Sequence, residues 1–289
     1  MLNIEFLLAT ARSVGAATLL GIFALATAIA LEHVGPKETF SWRERLPGIL
    51  MNVVTGPLQL ILVLPLTWLW ISLGLNPLLV LPLWHWLEPL GAVGYITQIV
   101  ALVAVADLLA YWRHRVEHRW LWRVHVVHHV PRELHAANDL GHPLQNIFNF
   151  IFILIPMSLI QIDGPETPFV VGAILTLAGY YIHSPVEWNL GPLRRVIVDN
   201  RYHRIHHSLE ERHFDKNFGI VFSVWDYMFG TAYNPGEEWP LVGVDGVQPP
   251  QTVMQFLALP LSMGRGSSSS TGTEMSTFRQ RECPPVHNL

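Results

Sequence analysis

Three apolar runs, near Leu7–Leu31, Ile49–Leu73 and Leu90–Tyr111, are each long enough to cross a bilayer as a helix, which takes about 20 residues. Backbone N–H and C=O groups in hydrocarbon have no water to bond, so a single spanning segment must close its hydrogen bonds as a helix. Two shorter runs, Ile147–Ile160 and Phe169–Ile182, flank the turn-like stretch Gln161–Pro168 and predict a helical hairpin that crosses or enters the membrane. Composition agrees: 51% of the 289 residues are hydrophobic and 14% charged, whereas soluble domains carry about 25% charged residues. Eleven Trp suit interfacial aromatic belts. The N-terminal run lacks a basic start and an obvious small-residue cleavage site, and predicts a retained span.

Lys and Arg concentrate on the cytoplasmic side of membrane proteins. Lys37, Arg43 and Arg45 lie between the first two runs, and Arg113, Arg115, Arg119, Arg123 and Arg132 follow the third; Gly74–Pro89 and the hairpin turn have none. An external N-terminus with five crossings satisfies this pattern. The predicted architecture is therefore an all-α integral membrane protein, a multi-pass bundle of about four to five membrane helices with a cytoplasmic histidine-rich helical cap. Residues 1–100 read as N-terminal membrane helices, 101–235 as the catalytic unit, and 236–289 as a C-terminal tail. The low-complexity stretch Gly264–Leu289 is expected to be disordered. A net charge of −4 with no block of like charges argues against a nucleic-acid partner.

Twelve of the fifteen histidines fall between His114 and His213. His114 and His118 are four residues apart and share a helix face. His125, His128 and His129 follow the pattern HxxHH, and His203, His206 and His207 repeat it 78 residues later. Rings so crowded would repel one another if protonated, and near a reference pKa of about 6.5 they are more comfortable as neutral ligands of a cation. Eight imidazoles exceed the four of a structural zinc and the three of a catalytic one, which points to two metal ions. Imidazole suits Fe, Zn, Cu and Ni alike, so spacing leaves the element open. The lone Cys283 excludes a thiolate-rich site. His142 and His183, at the two ends of the predicted hairpin, are further candidate ligands. His33 and His85 read as structural, while His135 and His213 lack a partner at metal spacing. Asp107, seven residues before His114, is an ionisable group inside an apolar run and is expected to accept the outer N–H of a ligand imidazole.

The segments Tyr111–His118, Leu121–His129, His142-Pro143, His183, Arg201–His207, Asp215–Gly219 and Trp225–Thr231 together resemble the fatty acid hydroxylase and sterol desaturase superfamily of membrane di-iron oxidases. That resemblance implies a cytoplasmic cap over a bundle of about four membrane helices. It further implies two iron ions held by His114, His118, His125, His128, His129, His142, His183, His203, His206 and His207. Activity would be O2-dependent hydroxylation or desaturation of an unactivated C–H bond in a lipid. Electrons would come from NAD(P)H through a cytochrome b5-like or ferredoxin-type donor. Two competing readings are a zinc-dependent membrane hydrolase, whose HExxH motif is absent, and a non-enzymatic membrane metal- or haem-binding protein.

Overall fold

The computed structural model describes residues 4–162 and 168–263. The predicted disorder of Gly264–Leu289, and the centre of the predicted hairpin turn, lie outside the described residues. Each long apolar run becomes a long helix: α1 (Ile4–Leu31), α2 (Trp42–Ser72) and α3 (Ala92–Trp120). The 31 residues of α2 and the 29 of α3 reach about 46 and 43 Å at the α-helical rise. Both are long and apolar enough to cross a membrane, and Thr18–Leu31, Gln145–Ser158, Val170–His183 and Val253–Ser262 are shorter apolar helices. Phe23, Ile61, Leu69, Val93 and Ile96 face outward, a distribution that fits hydrocarbon better than water.

Local chemistry sets the ends of these helices. A capping box opens α2: the Ser41 N–H donates to Glu44 Oε2 at 2.5 Å and the Glu44 N–H to Ser41 Oγ at 3.4 Å, satisfying two otherwise orphaned donors. Gly91, at φ 55°, precedes α3 and turns the chain into it. The third apolar run and the first histidine pair are thus one continuous helix. Leu121 ends it, and α4 (Trp122–His129) leaves in a new direction carrying the first HxxHH.

Beyond α4 come α5 (Gln145–Ser158), which contains a π-helical turn at Phe150–Leu154, then α6 (Pro168–His183), α7 (Asn200–His206) and α8 (Val253–Ser262). The expectation of a purely helical chain needs one correction. β1 (Leu79–Leu81) and β2 (Ile160–Ile162) form a short parallel pair, because the backbones leaving α2 and α5 run side by side there and satisfy each other's polar groups. The stretch read as the start of the hairpin turn is therefore extended.

Two charged pairs, one buried and one half-buried, fasten the N-terminal part of the chain to the histidine-bearing part. Glu32, just past the end of α1, pairs with Arg45 on α2, and its Oε1 also accepts the Ala136 N–H at 2.6 Å. Arg204 on α7 donates twice to Glu38, at 3.0 and 3.2 Å, and stacks over Trp239. The C-terminal α8 lays Phe256 and Leu259 on Val126, Val127 and Val130 around α4, with Met51 of α2 in the same cluster.

α2 approaches the segment after α4 closely enough to require glycine. A Cβ on Gly48 would lie 2.4 Å from Ala137 O and 2.5 Å from Asn138 Oδ1. Gly48→Ala is expected to cost roughly 1–3 kcal/mol through overpacking, despite alanine's better helix propensity. A lowered thermal midpoint of the detergent-extracted protein checks this; an unchanged or raised one would show that the helices separate freely.

Candidate metal centre

Nine imidazoles converge in two groups, and within each group the ligand atoms all lie within 4.8 Å of one another. His114, His118, His125, His129 and His206 make up the first; His128, His183, His203 and His207 the second. The two HxxHH motifs divide crosswise. In α4, His125 and His129 serve the first group and His128 the second; around α7, His203 and His207 serve the second and His206 the first. Helical geometry dictates this split, because i and i+4 share a face while i+3 is rotated toward the neighbouring one. The groups abut, with the His129 ring stacked on His207 at 4.5 Å between centroids.

Outer hydrogen bonds reveal which nitrogen each ring offers. His114 Nδ1–H donates to Phe218 O at 3.0 Å, and His206 Nδ1–H to Lys216 O at 2.8 Å. His118 Nδ1–H donates to Asp215 Oδ1 at 3.2 Å, and His125 Nδ1–H to Glu117 Oε2 at 3.0 Å. In the second group His183 Nδ1–H donates to Gly179 O at 2.7 Å and His128 Nδ1–H to Leu140 O at 3.3 Å. A carbonyl or carboxylate only accepts, so each of these neutral rings keeps its lone pair on Nε2.

Those Nε2 atoms face one another. They lie 3.0 Å apart for His114 and His125, 3.1 Å for His118 and His129, and 3.1 Å for His125 and His129. In the second group His203 Nε2 is 3.3 Å from His183 Nε2 and 3.1 Å from His207 Nε2. Where both rings keep the lone pair on Nε2, as His114 and His125 do, this spacing is repulsive unless a cation lies between them. With metal–imidazole bonds of about 2.0–2.1 Å, the N···N edges of octahedral and tetrahedral coordination are about 2.9 and 3.4 Å. The observed separations fall in that range, so the residues fit a metal in each group. His206 Nε2 is buried without a hydrogen-bond partner, as a ligand atom awaiting a metal would be.

Burial, reinforced by the neighbouring imidazoles, holds His128, His129, His203, His206 and His207 well below the usual histidine pKa. Burial lowers His125 to about 4, against the opposing pull of Glu117. Neutral imidazole is the metal-binding form.

A single loop orients much of the first group. Within Asp215–Gly219, a carboxylate and two carbonyls contact His118, His206 and His114, and Asp215 and Asn217 adopt positive φ to aim them. Asp226 anchors the loop from behind, accepting the N–H groups of Phe218 at 2.8 Å and Gly219 at 2.9 Å and the Thr231 hydroxyl at 2.7 Å. Asp107 serves the next segment, accepting from Val221 N–H at 3.0 Å, Phe222 N–H at 2.8 Å and Trp225 Nε1–H at 3.1 Å. The expected contact of Asp107 with an imidazole is thus replaced by a clamp on returning backbone.

The structure does not bring His142 to either group. Its Nε2–H donates to Leu257 O at 3.2 Å, its Nδ1 accepts the Leu144 N–H at 3.2 Å, and its ring stacks on Phe256. His135 is fully buried against Phe40 and Asn138. His213 lies beside Glu210 and Glu238, but Arg212 already bridges the two carboxylates at 2.7 and 2.6 Å, so that cluster carries its own cation.

Glu117 is the supporting residue that spacing alone understated. Almost fully buried, it accepts from Arg113 Nη1 at 2.6 Å and Gln145 Nε2 at 2.9 Å besides His125. Its only sequence signal is its place one residue before His118. Glu117→Ala is expected to weaken metal binding at the first group by about 10–100-fold, measured by competition with a chromogenic chelator. Wild-type affinity would show that His125 is held by packing alone.

Nine imidazoles at metal–ligand spacing, seven of them buried and two half-buried, beside helices long and apolar enough to span a membrane, define the class: a histidine-lined candidate dinuclear metal protein. More particularly, residues 99–231 match the fatty acid hydroxylase family. Ornithine lipid hydroxylase of Rhizobium tropici is 32% identical over 141 residues, 48% of this chain and 42% of that protein. Alkylglycerol monooxygenase of Homo sapiens is 30% identical over 128 residues, 43% of this chain and 28% of that protein. A very-long-chain aldehyde decarbonylase of Oryza sativa subsp. indica is 23% identical over 164 residues, 50% of this chain and 24% of that protein. The matches therefore cover less than half the length of each of these relatives. No solved structure matches.

Proposed function

We propose that the protein is a membrane di-iron oxygenase that hydroxylates, or by loss of a second hydrogen desaturates, an unactivated C–H bond of a lipid. The observation that carries this reading is the pairing of two imidazole groups whose Nε2 atoms converge at metal–ligand spacing. The relatives named for lipid hydroxylation and for alkylglycerol monooxygenation supply the reaction class. Oxygenation calls for a redox-active metal, which zinc is not, and iron is the metal that the resemblance to membrane di-iron oxidases implies. Two iron ions bound there would supply O2 activation.

The chain's own residues hold, orient and enclose. The Asp215–Gly219 loop and Glu117 fix ring tautomers and directions in the first group. The backbone carbonyls of Leu140 and Gly179 fix His128 and His183 in the second. A cavity of about 390 Å³ between α2, α5 and α6 reaches His114 and His125 of the first group and His128, His183 and His203 of the second. A lipid bound there can meet both. The excess of Arg after α3 supports a cytoplasmic location for this face, where NAD(P)H-derived electrons could arrive through a cytochrome b5-like or ferredoxin-type donor.

The experiment is metal analysis of purified protein, followed by lipid mass spectrometry under 18O2. About two irons per chain and a product carrying 18O are expected for hydroxylation; an O2-dependent loss of two hydrogens would mark desaturation. A zinc-only protein active without O2 would sink the proposal and favour the hydrolase.

A further inference from the structure

The cavity against the histidines is an unusual receptacle for an alkyl chain. Apart from histidines and glycines, its wall is mostly amide, hydroxyl and charged groups, and Leu175, Ile182 and Ile220 are its aliphatic members. A methylene chain packed there would leave those groups dry and unbonded, at a cost in affinity for each.

The unsatisfied groups of the lining amides are mainly acceptors. Both Nδ2 hydrogens of Asn52 are spent on Gly48 O and Ala137 O, each at 3.0 Å, so Asn52 offers the cavity an acceptor, Oδ1. Gln145 donates from Nε2 to Glu117 Oε2 at 2.9 Å, while its Oε1 is buried without a partner. Asn149 donates one Nδ2–H to Asn146 Oδ1 at 3.2 Å and keeps its carbonyl oxygen. Fixed cationic charge is scarce, because Arg113 is already paired with Glu117 at 2.6 Å; its Nε–H is buried and unpartnered. A phosphate would find one compensated guanidinium among acceptors that repel it.

Resting on the proposed oxygenase reading, we infer that this cavity binds the polar head of the lipid, an uncharged group bearing O–H or N–H donors. Asn52 and Asn149 select that head, and the carbon presented to the histidine groups is one beside it, not one far along the chain. α2, α5 and α6 become aliphatic away from the histidines, at Leu62, Ile153 and Val171, where the hydrocarbon tail would lie.

The test is equilibrium binding to the full-length protein in nanodiscs, using C16 probes that share a chain and differ in head: hexadecylglycerol, hexadecanamide, hexadecyl phosphate and a methyl-terminated hexadecane. The glycerol and amide heads are expected to bind at least roughly tenfold tighter than the other two, about the value of one buried hydrogen bond. Asn52→Leu and Asn149→Leu should each remove most of that preference while binding to hexadecane holds or improves. Equal affinity for all heads, tighter binding of the phosphate, or an unchanged preference in both variants would overturn the inference. So would oxidation of a bound probe at mid-chain, located by fragment mass spectrometry. Head-selective binding without turnover of any probe would support the head recognition and count against the oxygenase reading, so the two fail separately.

Discussion

His128→Ala and His129→Ala, substitutions at adjacent positions, are expected to empty different halves of the centre. Removing His129 takes one imidazole from the group of five; removing His128 takes one from the group of four. Each variant should retain about one metal per chain in place of two, and activity should fall by more than about a hundredfold, beyond the range for groups that merely support a ligand. Metal analysis gives the stoichiometry. The variants become distinguishable when combined with a change in the other group: His129→Ala with His206→Ala, both in the first group, should keep the second metal, whereas His128→Ala with His206→Ala should lose both. Equal metal content in the two double variants would refute the crosswise assignment. This rests on geometry alone, because the three residues named share two identical HxxHH motifs.

Asp226→Ala should be the most damaging change outside the rings. It strips the acceptor from two buried N–H groups and one hydroxyl, which at about 1–3 kcal/mol for each unsatisfied buried group sums to about 3 kcal/mol or more. The loss falls on the loop that orients His114, His118 and His206. Metal should therefore leave the first group preferentially while the second holds its ion. Asp226→Asn, which keeps one acceptor oxygen but turns the other toward the backbone donors as an amide, should fall between. Thermal midpoint and metal content together check this; loss of both metals in step would mean that Asp226 holds the whole cap and has no special relation to one group.

Much of the centre was legible in the chain because local helix geometry decides it. Repeated i, i+3, i+4 spacing is enough to gather imidazoles and to require more than one metal, and every histidine of the two repeats and the first pair lies in a group. Which ring serves which group was not legible, since it depends on how α4 and α7 face each other, and their contact spans 78 residues of chain. Asp107 is buried inside its apolar run, but its partner is not the expected imidazole: the backbone that claims it returns more than 110 residues later. His142 sits beside a hairpin end as expected, yet its nitrogens are taken by α5's own approach and by α8, a helix in a region read as tail. The three-residue strands left no period-2 signal long enough to notice.

The crosswise division of the HxxHH repeats makes α4 and α7 shared struts. Neither helix can slide or rotate without displacing rings in both groups at once, so the two halves are mechanically coupled through rigid bodies instead of a flexible linker. Filling one half braces the scaffold of the other, so the second ion should bind more tightly after the first, although each half keeps ligands enough to hold its own.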